Sequence, residues 1–92
     1  MSTFEKKIVQ LARTFPTLEK APLEPWDAQA FDAWALQQAG SGLLHAARFV
    51  LAVWACRYPW QIGPFDAVSA IAAWDAAHRG AFVQWCTVPW WH

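Results

Sequence analysis

Asp75 and Arg79 stand four residues apart with His78 between them. On one continuous helix both charges would share the face of Val68, Ile71, Ala72, Val83 and Cys86. Two charges along an apolar stripe are costly unless they pair, so an Asp75–Arg79 ion pair that fixes helix register is the expected arrangement. The other reading is an acid with a shifted pKa set in a pocket. Trp74, His78 and Trp85 fall on a separate stripe, which points sideways or outward if the aliphatic stripe faces the core. That stripe is either a second packing face against the N-terminal helix or an aromatic contact surface, which His78 would make sensitive to pH.

Metal and nucleophile chemistry find less support. Cys56, Cys86, His45, His78 and His92 are the ligand-type residues, and none has the spacing of a zinc site. His45 and Cys56 share a helix face but lie three turns apart, too far to chelate one ion. Gly40-Ser41-Gly42 is a helix-to-helix turn without the full Gly-x-Ser-x-Gly elbow. Cys56 sits in an apolar helix, where a buried thiol is unreactive, and no glycine-rich phosphate loop is present. Neither catalysis, a cofactor nor a metal is expected.

The elements that must position these residues are helical. Phe4, Ile8, Leu11 and Phe15 form one stripe of an amphipathic helix over residues 2–15, with Ser2 and Glu5 placed for a capping box and Pro16 as its stop. Residues 16–25 hold Pro16, Pro22 and Pro25 and read as an extended linker pinned by Leu18 and Leu23. A second helix starts at Pro25, with Asp27 in its first turn, and ends at Gly40. Trp26, Ala30 and Trp34 form its apolar row, with Asp32 directed elsewhere.

The third helix, about 42–57, is apolar over most of its circumference. Only His45, Arg48, Ala52, Ala55 and Cys56 make a small or polar face, so this helix should be the one surrounded by the others. After the turn from Tyr58 to Pro64, a fourth helix runs from Pro64 to about His78. Gly80 marks a bend or break, or else is tolerated inside a helix reaching Cys86. The fold expected is one all-α domain over 1–92, a compact bundle of four to five helices.

Composition narrows the function classes. The chain has 92 residues, seven Lys and Arg against seven Asp and Glu, and eight Trp, six Phe and one Tyr. Hydrophobic residues at 57% exclude a disordered tail, and zero net charge argues against direct nucleic-acid binding. The longest apolar run, Leu43 to Cys56, is short and interrupted by His45 and Arg48, so stable membrane insertion is not expected. Two cysteines and no apolar N-terminal run fit a reduced, cytoplasmic chain. The tail Trp90-Trp91-His92 either plugs the core, binds a partner or touches a membrane surface.

The stretch from Gly42 to Trp91 resembles a family of small helical proteins of bacterial plasmids, prophages and phages. The residues concerned are Gly42, Ala46-Ala47-Arg48-Phe49-Val50-Leu51, Val53-Trp54, Phe65-Asp66 and Trp74-Asp75. The chain departs from that pattern in the proline-rich turn and in the tryptophan-dense tail. The family has no assigned activity, so the resemblance implies a mobile-element setting and carries over no catalytic residue.

Fifteen aromatic side chains exceed what so small a core accommodates, which places some at the surface. The expected function is therefore non-enzymatic binding of another protein or of a second copy, a homodimer. Trp60, Trp74, His78, Trp85, Trp90 and Trp91 are the expected anchors. A phage-encoded inhibitor of a host defence complex is one concrete version. A structural homo-oligomer and a small-molecule binder with a Trp-lined pocket are the other readings.

Overall fold

In the computed structural model, which describes residues 2–91, the first helix begins at its sequence cap. Ser2 Oγ accepts the Glu5 N–H at 3.1 Å and Glu5 returns a carboxylate oxygen to the Ser2 N–H at 3.2 Å. Helix α1 (Thr3–Arg13) buries Ile8 and Leu11 of the predicted stripe, together with Val9 and Ala12. Phe15 just beyond it is fully buried. His92 lies outside the described residues.

Residues 16–25 are less extended than expected. Pro16–Leu18 makes a 3-10 turn, because proline's fixed φ suits a first helical position. The turn carries Leu18 inside, and Leu23 and Trp26 follow it. Helix α2 (Ala28–Leu36) starts three residues after Pro25. The Asp27 carboxylate accepts the N–H groups of Gln29 and Ala30 at 3.1 and 3.2 Å, which makes Asp27 the cap and not a first-turn residue.

Helix α3 (Ser41–Ala55) is the central element, in contact with α1, α2, the 3-10 turn and α4. Gly40 precedes it at φ 104°, a conformation that the missing Cβ makes accessible. Beyond the loop Tyr58–Pro64 come α4 (Ala67–Ala73) and α5 (Ala76–Thr87). Among the described residues the regular structure is all helix, and the fold is an all-α bundle.

The C-terminal helices depart from the sequence expectation in a connected way. The helix predicted over 64–78 breaks at Trp74, whose ψ of 150° is extended, and Asp75 then caps a new helix by accepting the His78 N–H at 2.9 Å. That break resets the helical phase, and the faces come out reversed. Trp74 and His78 are buried and Trp85 is half-buried, whereas Val68 (79% exposed), Ile71 and Val83 (56% exposed) face outward. Turning the rings inward removes more apolar area from water than turning the valines inward.

The break expected at Gly80 is absent, since α5 runs through it. Its cost is offset by seating Phe82 and Trp85 edge-on against Phe49, at ring centroids of 5.1 and 5.2 Å. A Cβ at Gly80 would meet nothing within 4 Å. Gly80→Ala should therefore stabilise the fold by about 0.5–1 kcal/mol in urea denaturation. A loss of stability would mean that the helix is not continuous there.

Candidate functional site

The Asp75–Arg79 ion pair is not formed. Asp75 Oδ1 takes both the backbone N–H and the ring Nδ1 of His78, the latter at 2.7 Å, while Arg79 Nε donates to the Ile71 carbonyl at 2.9 Å. The cap at Asp75 uses its carboxylate locally, and the Arg79 guanidinium instead ties α5 to the last turn of α4. The His78 N–H bonds hold the Asp75 carboxyl below the usual carboxylate range.

His78 is 4% exposed, with Phe15 at 5.9 Å and Trp74 at 6.2 Å between ring centroids. Since a carboxylate only accepts, Nδ1 carries a hydrogen, and Nε2 meets Thr17 Oγ1 at 2.9 Å. Hydroxyl, imidazole and carboxylate thus stand in the order of a nucleophilic triad. Here the carboxylate oxygen also caps α5 and the ring is walled by aromatics, so the chain of bonds acts as a strut from the 3-10 turn to α5. Trp74 and His78, expected as surface anchors, are core residues. The Trp74 indole N–H donates to the Gly42 carbonyl at 3.1 Å.

A second polar arrangement escaped the sequence reading. Asp32, expected to point away from the core, is 4% exposed and accepts the N–H groups of Gln61 and Ile62 at 2.8 and 3.1 Å. Arg48 Nε donates to the Ile62 carbonyl from the other side. The proline-rich loop is clamped between an acid on α2 and a base on α3. Trp60 is held there too: it is half-buried, packed on Tyr58 at 4.3 Å, and its indole donates to the Ala55 carbonyl.

Trp85 and Trp91 border an aromatic groove. It is lined by Phe49, Ala52 and Val53 of α3, Cys56 just beyond that helix, Phe65, Phe82, Trp85 and Trp91, with a volume of about 380 Å³. Trp85 is fixed by an indole bond to the Trp90 carbonyl at 2.9 Å. Trp90 folds back over Phe4 at 5.5 Å, with Lys7 Nζ above its ring, which is the core-plug arrangement for that residue. Trp91 stays out, 67% exposed. Of the expected anchors, Trp85 and Trp91 come together at 6.3 Å, and Trp90 and Trp60 are largely engaged within the chain.

Cys56 was expected in an apolar interior but is exposed at the end of α3, as Cys86 is on α5, and both are free thiols. Among the described residues no three His, Cys, Asp or Glu gather closely enough to hold a metal ion. Also among them, no helix is long and apolar enough to cross a membrane.

His45 sits on the polar face of α3 with its Nδ1 buried and without a hydrogen bond. Burial pushes its imidazole below the ordinary value, Arg48 adds to this and Asp66 opposes it. The fold therefore favours neutral His45, and the unfolded chain takes up its proton first as pH falls. This contribution is complete above about pH 6.5 and is lost as pH drops through that value towards the depressed one. Urea stability should fall from about pH 7 to about pH 5, and fall less in His45→Gln. An identical slope in the variant would remove His45 from the account.

No family model, curated protein or solved structure matches the chain. What the fold and the site define is a small all-α domain with an open aromatic groove and an apolar C-terminal exterior.

Proposed function

We propose that the chain is a non-enzymatic protein-binding module whose contact surface is the exterior of α4, α5 and the segment after them. The observation that carries this reading is the apolar surface left outside: Val68, Ile71, Val83, Val88 and Trp91 are exposed there, against Leu36 and Tyr58 elsewhere. Residues 67–91 include only Asp75 and Arg79 as charged side chains. Depletion of charge around exposed aliphatic and aromatic groups is the composition of an interface centre. Trp91 is the anchor of this surface, as a large exposed ring at its edge.

The mobile-element setting that the resemblance of residues 42–91 implies would make a host protein the partner, with inhibition of a host defence complex as one version. A second copy of the chain would bury the same side chains symmetrically. Light scattering across a hundred-fold dilution separates the two: constant monomer mass supports a hetero-partner, and dilution-dependent mass supports self-association. Val83→Lys and Trp91→Ala should abolish whichever association occurs while leaving far-UV circular dichroism unchanged. Association that persists in both variants would move the contact surface elsewhere.

A further inference from the structure

The small face of α3 does more than accommodate neighbours. Arg48, Ala52 and Cys56 repeat at four-residue spacing, so they line up along one side of the helix. Ala52 and Cys56, with Phe65, border two hollows at once. On one side is the aromatic groove of about 380 Å³ that ends at Trp85 and Trp91. On the other is a hollow of about 230 Å³ that contains Arg48 and Arg57 beside Tyr58 and Trp60.

The two hollows are adjacent, sharing Ala52, Cys56 and Phe65, and their charge is one-sided. The aromatic half has no charged lining residue, and the other half has two guanidinium groups and no carboxylate. Neither arginine is in an ion pair among the described residues. Arg48 is aimed by its Nε bond to the Ile62 carbonyl, and the loop that offers this carbonyl is itself held by Asp32. The cation is thus positioned by the fold and is not a freely rotating surface charge.

We infer that the two hollows act as one trough that binds a single-chain anionic amphiphile of the fatty-carboxylate class, with its alkyl chain along Phe49, Phe65, Phe82 and Trp85 and its carboxylate at Arg48 and Arg57. The volume lies in the range of small-ligand sites, and a mostly apolar wall with a few convergent polar groups is their usual lining. Arg offers a planar donor fork that matches a carboxylate. The site goes beyond protein binding and fails separately from it. Its readout is Cys56 and Arg57, whereas the partner test that separates the two is Val83, which borders neither hollow; Trp91 belongs to both surfaces.

The two free cysteines supply a test on the unaltered protein. Cys56 lines the trough and Cys86 does not. Saturating dodecanoate, kept below its micelle threshold, should slow iodoacetamide alkylation of Cys56 at least fivefold and leave Cys86 unchanged, as followed by peptide mass spectrometry. Calorimetry should give one site, with affinity falling roughly tenfold for each two methylenes removed, from dodecanoate to decanoate to octanoate. Dodecanol should bind more weakly than dodecanoate. Arg57→Gln should weaken dodecanoate roughly two- to fivefold and leave dodecanol unaffected. Equal protection of both cysteines, protection of neither, or equal binding of dodecanoate and dodecyltrimethylammonium would overturn the inference.

Discussion

Trp74→Ala should destabilise the domain by about 3–5 kcal/mol, the range for removing a buried large aromatic. Its indole packs on Phe15 at 5.5 Å, Phe82 at 5.8 Å, Phe65 at 6.0 Å and His78 at 6.2 Å. Its N–H also holds the Gly42 carbonyl in the first turn of α3. Trp74 thus ties the 3-10 turn region, α3 and α5 together at the break between the last two helices. A domain this size has modest total stability, so the variant should be largely unfolded at 37 °C. Trp74→Phe should lose less, because the ring contacts survive in part while the hydrogen bond does not. Equilibrium urea denaturation measures both, and a loss below about 1 kcal/mol for the alanine variant would place Trp74 outside the core.

Asp32→Ala should cost roughly 2–4 kcal/mol, on the basis of one to two buried N–H groups left without an acceptor. Gln61 is at the surface and can turn to water, so most of the penalty falls on the Ile62 N–H, whose residue is 3% exposed. Asp32→Asn keeps one carbonyl oxygen and should lie between the wild type and the alanine variant. Amide hydrogen exchange gives a sharper readout than global stability. Ile62 should lose protection in Asp32→Ala by more than the global change requires, because the clamp on the loop opens locally. Protection at Ile62 that merely follows global stability would show that Arg48 and the prolines hold the loop without the acid.

Much of the architecture was legible in the chain. Ser2 and Glu5 satisfy each other as their spacing implies, Ile8, Leu11 and Phe15 of the predicted stripe are buried with Phe4 half-buried against Trp54 and Trp90, and the helix of widest apolar arc lies at the centre. These features rest on residue patterns within single helices and their caps. The orientation of α4 and α5 was not legible, because a stripe drawn at 100° per residue assumes an unbroken helix. Asp75 looks like a helix-interior acid until its carboxylate is seen to cap His78, and that one local bond reverses which stripe is buried.

Asp32 is a related case. An acid on a short helix reads as solvated, and its two donors lie 29 and 30 residues later in a loop whose backbone no side-chain pattern reports. The trough was half legible. The small face of α3 was visible as Arg48, Ala52 and Cys56, but what it faced depended on where the aromatic rings settled. The excess of aromatic side chains was the least direct signal. Of eight tryptophans only Trp91 is exposed, and the surplus apolar surface consists mostly of valine and isoleucine.

The exterior of the last two helices, with Val83 outward, is the protein contact surface we propose. Its most direct test is quantitative affinity capture from the native host with wild type and Val83→Lys, each confirmed folded by circular dichroism. A partner, whether a host protein or an untagged copy of the chain, should be at least tenfold depleted with Val83→Lys. Recovery of the same associated proteins in the same amounts with both baits would contradict it.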